Sequence, residues 1–399
     1  MRNLLSTAQT AKRLGVKVET VYAYVSRGVL SRTLADDGKS SLFVASEVDA
    51  LARRGRPRLD SKRVGTVDVS LGTTITDIDT NTLRYRGYDV PKLAERASFE
   101  SVAELLWQGS LPATTSWAEL AAPHPITRRI AAVLPEASPA LERFSAVTAA
   151  LSCATSMRSD LSPPAVMRHG RLLIAQFVHS LPRLGKASAR SPHSLAQLLW
   201  PRLSEQAAQP SRLSLLNSAL ILIADHELAT STFAARVAAS TRADPFAVVL
   251  SGLGALSGPL HGKSAVGVHR LLREAASLPA RELASAPTLQ DLVLGPAFGH
   301  LVYTEGDPRG RSLLRACLPA LKTRPRQLIE LVLETAKARA AGEPNIDFAL
   351  GSLAFAMDMP LGSTDALFAI ARCAGFIAHA LEEYGEAPLR FRARALYTG

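Results

Sequence analysis

Apolar residues recur three and four positions apart along most of the chain, a period that predicts a mainly α fold. After Ser98, the set Phe99, Val102, Ala103, Leu105 and Leu106 forms one such face, and Leu313, Leu314, Cys317 and Leu321 form another. Strand-like alternation is brief, at residues 66–70 and 82–90. Pro and Gly punctuate the helical segments, as in Ser162-Pro163-Pro164 and Gly342-Glu343-Pro344. The first fifty residues are built on a smaller scale. Ser6-Thr7-Ala8-Gln9 reads as a capping box opening a helix that runs through Leu14 to Gly15. A second helix, Val18-Glu19-Thr20-Val21-Tyr22-Ala23-Tyr24-Val25, closes at Gly28. Ser31-Arg32-Thr33, the turn Asp36-Asp37-Gly38-Lys39 and Ser41-Leu42-Phe43 then read as a hairpin or wing.

The length of 399 residues suits two or three folded units, and 47% hydrophobic with 20% charged residues excludes a disordered chain. Cys153, Cys317 and Cys373 are far apart and odd in number, which frames neither a disulfide scaffold nor a zinc cluster. No basic-then-apolar leader opens the chain. The most apolar long stretch, residues 366–380, is shorter than the roughly 20 residues of a membrane span, and Arg372 and His379 interrupt it. A soluble, cytoplasmic protein without membrane partners is the expectation.

Charge sharpens the division. Residues 1–65 hold 13 Lys/Arg against 6 Asp/Glu, so a net +7 of the total +11 sits in a small head. On Thr10-Ala11-Lys12-Arg13-Leu14-Gly15-Val16 and residues 20–28, that head resembles the small winged helix-turn-helix of MerR-type regulators and excisionase-like proteins. The resemblance implies DNA contact through Thr20 and Tyr22 on the second helix, with Lys17 and Arg27 meeting phosphates. Val21 and Val25, four apart, read as core. Arg53-Arg54-Gly55-Arg56-Pro57-Arg58 is either a basic linker or a single AT-hook-like segment, with Arg54 and Arg56 offered to a minor groove.

Familiar catalytic signatures fail in the body. His226-Glu227 would begin a zinc-protease H-E-x-x-H, but Thr230 stands where the second His is required. Gly252-Leu253-Gly254 is followed by Ser257 in place of the third glycine of a dinucleotide fingerprint, so close helix packing explains these glycines better. What remains is a series of segments: Asp225-His226-Glu227 within an apolar helix, Gly258-Pro259-Leu260-His261-Gly262 between helices, and Phe298-Gly299-His300 in a loop. Asp307-Pro308-Arg309 follows, then Asn345-Ile346-Asp347-Phe348 just ahead of a helical run from Gly351. Singly, each has an ordinary reading, a solvated loop histidine or a helix-start acid.

In that order, with Ile75-Thr76-Asp77-Ile78-Asp79, Leu83-Arg84-Tyr85-Arg86-Gly87-Tyr88 and the ending Arg392-Ala393-Arg394-Ala395-Leu396-Tyr397-Thr398-Gly399, they resemble citrate synthase across the whole body. The resemblance implies a two-domain helical fold: a large domain of residues 66–260 and 354–399, and a small closing domain of residues 261–353. The helix-turn-helix of residues 1–52 and a basic linker of residues 53–65 precede it. It implies Asp347 as the base, His261 as donor to the thioester oxygen and His300 as donor to the oxaloacetate carbonyl. His226, Arg309, Arg372 and Arg392 fall on its oxaloacetate/citrate-binding positions, Arg392 reaching the neighbouring subunit's site in a homodimer. No cofactor or metal is implied, since acyl-CoA enters as a substrate.

Ala297, Leu301, Lys263, Ile223 and Ala229 depart from the family pattern around these groups. The implied activity is acetyl-CoA plus oxaloacetate and water giving citrate and CoA. Two alternatives stand beside it: 2-methylcitrate synthesis from propionyl-CoA, and a DNA-binding regulator whose body senses oxaloacetate or acyl-CoA.

Overall fold

Ser6 and Gln9 close the capping box: the Ser6 backbone N–H donates to Gln9 Oε1 at 2.9 Å, and Gln9 N–H donates to Ser6 Oγ at 3.3 Å. The computed structural model describes residues 4–392 except 15, 17, 27–29, 36–39, 46, 49–50, 52–68, 187–191, 259–260, 262–263, 280–282 and 284–285. The described chain forms two compact units, Met1–Gly72 and Thr73–Gly399.

In the first unit the cap opens the helix Thr7–Leu14, and Val18–Ser26 forms the second helix. Strand Thr33–Leu34 pairs antiparallel with Ser41–Val44, which also pairs with Leu4–Ser6. This third strand carries no alternation long enough to be read in the sequence. Leu5, Ala11, Val21, Leu30, Phe43 and Val48 make a small core of their own, with Val25 packed against it. Of the residues assigned to DNA, Thr20 and Tyr22 lie on the second helix, and Tyr22 is exposed. Lys17, Arg27, Arg54 and Arg56 lie outside the described residues.

The second unit opens with a three-stranded meander, Thr76–Asp79, Thr82–Tyr85 and Tyr88–Asp89. Arg86 and Gly87 both take positive φ, 49° and 85°, the conformation a tight two-residue hairpin requires. Alternation is therefore real within residues 82–90, whereas Val69 and Ser70 are irregular and residues 66–68 are not described. Everything after this is helical or loop among the described residues.

The helix Ser363–Tyr384 lies at the centre, packed against Phe99–Gln108, Pro163–Ser180, Thr230–Ser240 and Pro245–Leu256. It is the one described helix long and apolar enough to cross a membrane, and 89% of its apolar window is buried inside the protein. At 22 residues it extends past the apolar stretch seen in the sequence at both ends. Gly252 faces its Phe376 ring, where a Cβ would lie 2.5 Å away, so close packing accounts for that glycine, whereas a Cβ on Gly254 would meet nothing within 4 Å and close packing does not explain it.

Three local expectations need correction. Leu321 leaves its helix, because Pro308–Cys317 ends in a 3₁₀ turn over Leu318–Ala320. His226 is in a break between Pro210–Leu222 and Thr230–Ser240, not inside a helix. Glu227 there takes φ 55°, which ends helical propagation. The helix placed from Gly351 begins at Ile346: Asn345 Oδ1 accepts from the N–H groups of Asp347 at 3.0 Å and Phe348 at 3.4 Å. Asp347 is thus in the first turn.

Candidate active site

Two helix N-termini meet at Asp307. As cap of Pro308–Cys317 its Oδ1 accepts the Arg309 N–H at 3.0 Å, and its Oδ2 accepts the Ile346 N–H of the second helix at 3.0 Å. Gly310 permits the approach, since a Cβ there would lie 2.5 Å from the Asn345 carbonyl carbon. This junction fixes Arg309 and Asp347 beside one another.

Arg309 and Asp307 are both buried and pair through two bonds, Nε to Oδ1 at 2.9 Å and Nη2 to Oδ2 at 2.8 Å. Burial opposes the charge on each. The pairing overcomes it, holding the Asp307 carboxyl below the usual carboxylate range and Arg309 above its ordinary value. Arg372, from the middle of the central helix, is equally buried and donates from Nε to the Ile223 carbonyl at 3.1 Å. Among the described residues no carboxylate lies within ion-pair distance of it, and burial lowers its pKa.

His300 follows Gly299, which takes φ 76°. Its Nδ1 accepts the N–H of Val302 at 3.0 Å and of Tyr303 at 3.3 Å, so the neutral ring carries its proton on Nε2. Arg309 Nη2 lies 3.4 Å from that Nε2. Two N–H donors therefore converge, an arrangement made for an acceptor oxygen. Burial, then the Arg309 charge, keeps His300 neutral by lowering its pKa. His226 stands edge-on to His300 with centroids 5.6 Å apart, and its Nε2 meets the Tyr303 hydroxyl at 3.0 Å.

His261 is oriented from the other side. The Ser231 backbone N–H donates to its Nε2 at 3.2 Å, and Ser231 Oγ lies 2.8 Å from the same nitrogen. A backbone N–H can only donate, so the neutral ring keeps its proton on Nδ1. Burial and then Arg372 lower its pKa. Asp347 is the acid of the group: burial pushes its carboxyl up to about 6, with Arg309 and Arg372 pulling down and Asp307 pushing up. Arg372 thus acts electrostatically on His261 and Asp347 alike, while Arg309 acts on His300 and Asp347.

A family model described as citrate synthase, C-terminal domain, matches residues 66–394. The chain belongs to the citrate synthase family. It is an enzyme of the citrate synthase class, an acyltransferase. It is 30% identical over 358 residues to Citrate synthase 2 of Bacillus subtilis, covering 83% of this chain and 94% of that protein. It is 30% identical over 366 residues to 2-methylcitrate synthase of Mycobacterium tuberculosis, covering 86% and 93%. Among solved structures, citrate synthase of Thermoplasma acidophilum in ternary complex with carboxymethyl coenzyme A and oxaloacetate aligns with TM-score 0.68 at 26% identity, covering 84% of this chain and 94% of that one.

Of the positions that the citrate synthase resemblance singles out, the fold brings His226, His300, Arg309, Asp347, Arg372 and His261 into one electrostatic neighbourhood. Arg392 is exposed. The segment before it is fastened: Leu389 N–H donates to the Ser240 carbonyl at 2.8 Å, Arg390 grips Glu383 at 2.6 and 2.7 Å, and Phe391 packs on Phe233.

Tyr303 is the site residue that sequence reasoning passed over. It is buried, its ring is 4.7 Å from His300, and the Arg309 guanidinium lies 5.6 Å from its centroid. An aromatic three residues after a loop histidine is the signal that marks it.

Proposed function

We propose that this chain condenses an acyl-CoA with oxaloacetate and hydrolyses the product, acetyl-CoA giving citrate. The observation that carries the reading is the meeting of two buried guanidinium groups, the His300 Nε2–H donor and a carboxyl tuned to about 6 in one site. Arg309 and Arg372 take the two carboxylates of oxaloacetate, with His226 beside them. His300 Nε2–H donates to the ketone oxygen and draws charge off the carbon to be attacked. Asp347 removes a proton from the acyl α-carbon while His261 Nδ1–H donates to the thioester oxygen, which gains charge as the enolate forms. The α-carbon then bonds to the ketone carbon, the ketone oxygen takes a proton, and water cleaves the thioester to carboxylate and free CoA.

Residues 261–353 carry His261, His300 and Asp347. Their movement as a small domain against residues 66–260 and 354–399 exposes the site to substrate and then shuts out water. In a homodimer, the fastened segment 389–391 presents Arg392 to the neighbouring site. Acetyl-CoA and propionyl-CoA differ by one methylene, worth about 1–3 kcal/mol in a pocket. Thiol release by the purified protein therefore tests both donors in parallel with oxaloacetate. Release that requires oxaloacetate supports the reading, and the ratio of kcat/KM values names the donor. Oxaloacetate binding with no thiol from either donor would instead favour a metabolite sensor.

The Met1–Gly72 unit favours a second activity beside this one: a folded module with its own core and Tyr22 exposed on its second helix, with a net charge of +7 in residues 1–65. We propose that it binds DNA. The full-length protein should retard duplex DNA at low salt, and neutralising Arg54 and Arg56 should weaken this. No retardation by wild type removes the proposal.

A further inference from the structure

Asp225 is wholly buried one residue before His226, and one of its oxygens serves three donors. Oδ2 accepts from Thr76 Oγ1 at 2.5 Å, from the Glu227 N–H at 3.0 Å and from His379 Nε2 at 3.4 Å. The Glu227 bond closes a turn around His226 and coincides with the positive φ of Glu227, a conformation that a residue with a Cβ keeps only where its surroundings impose it. The Tyr85 hydroxyl reinforces the turn, accepting the Asp225 N–H at 3.0 Å and lying 2.8 Å from the Asp225 carbonyl.

The direction of the His379 bond is set from behind. Arg236 Nη1 lies 3.2 Å from His379 Nδ1, and a guanidinium has no lone pair to offer, so Nδ1 accepts and Nε2 carries the proton toward Asp225. Arg236 is itself clamped by Glu383 and Glu382, each at 2.7 Å. Gly375 makes the room, since a Cβ on it would collide with Asp225 Oδ1. The same carboxylate is the first acid acting on Arg372.

We propose that Asp225 is a positioning residue for the dianionic substrate. Its carboxylate shapes the turn that aims His226 at Tyr303, and the Arg236–His379 pair fixes its orientation. This rests on the oxaloacetate reading above. Asp225 is wholly buried behind His226, so its loss should appear as a split between the two substrates.

In Asp225→Asn, KM for oxaloacetate and its calorimetric Kd should rise about 10- to 100-fold, the size expected for hydrogen bonds to a charged group. KM for acyl-CoA should stay within about twofold. Thr76→Val should show the same split at smaller size and serves if Asp225→Asn does not fold. His379→Gln, which keeps an N–H donor, should stay nearer wild type than His379→Leu. A folded Asp225→Asn that melts earlier yet keeps wild-type KM and Kd for oxaloacetate overturns the proposal, since a purely structural role does only that. Wild type that binds oxaloacetate but releases no thiol overturns the proposed reaction and leaves the calorimetric comparison to decide Asp225. Wild type that neither binds nor turns over removes both.

Discussion

Asp347→Asn should lower kcat by about 10²–10⁴-fold, the usual contribution of a general base, while oxaloacetate affinity stays near wild type. It should also make the protein harder to melt at pH 8. Both effects come from one placement. The Asn345 cap sets Asp347 in the first turn of Ile346–Ala356, where burial lifts its carboxyl to about 6. An unfolded chain titrates this group near ~3.9. Between the two values the folded state holds a proton that the unfolded state has released, so stability falls as pH rises through this window. Above about pH 6 the charge is fully present in the site and its cost is complete. Asn mimics the neutral form at every pH. Its advantage in melting temperature should be largest at pH 8, shrink as pH falls through 6 and vanish near ~4. A variant that loses activity and stability together at pH 8 would contradict this placement.

Arg309→Met and Arg372→Met should both raise KM for oxaloacetate by about 10²-fold, because each removes a buried cation assigned to a substrate carboxylate. In stability they should part. Removing Arg309 leaves Asp307 buried with its bidentate partner gone, a loss of about 3–5 kcal/mol. It also loosens the junction of two helix N-termini that Asp307 holds. Arg372 has no such partner among the described residues, and its replacement costs mainly the hydrogen bond to Ile223, about 1 kcal/mol, against relief from burying a charge. Arg309→Met should therefore melt well below wild type and Arg372→Met close to it. Equal losses in the two melts would show that Arg372 has a structural counter-ion stronger than the through-space pull of Asp225.

Local chemistry was legible in the sequence at two helix starts whose capping partner lies three residues away. Ser6 with Gln9 and Ser98 ahead of its apolar face both announce helix starts through contacts three residues apart. The order of His226, His261, His300, Arg309 and Asp347 pointed to a site only through the resemblance to citrate synthase, since each residue alone has an ordinary reading. Long-range partners were not legible. Thr76 and Asp225 meet across 149 positions and Asp225 and His379 across 154, so no spacing reveals them.

The helix expected from Gly351 begins five residues earlier, at Ile346, and carries Gly351 in its interior. In the fold that glycine lies where Val268 and the Ala265 carbonyl press so close that a Cβ would clash. Gly310 is explained in the same way, and only once the Asn345 backbone is seen against it. Tyr303 was hidden by its company, an aromatic in an otherwise exposed apolar run of Leu301 and Val302.

The most direct test of the central claim is the pH dependence of thiol release at saturating oxaloacetate, for wild type and Asp347→Asn side by side. Wild-type kcat should rise through one ionisation near pH 6 to a plateau, and the variant should be flat across that range and at least about 10²-fold slower. The same ionisation and comparable rates in both proteins would contradict the account, because the proton would then be leaving to some group other than Asp347.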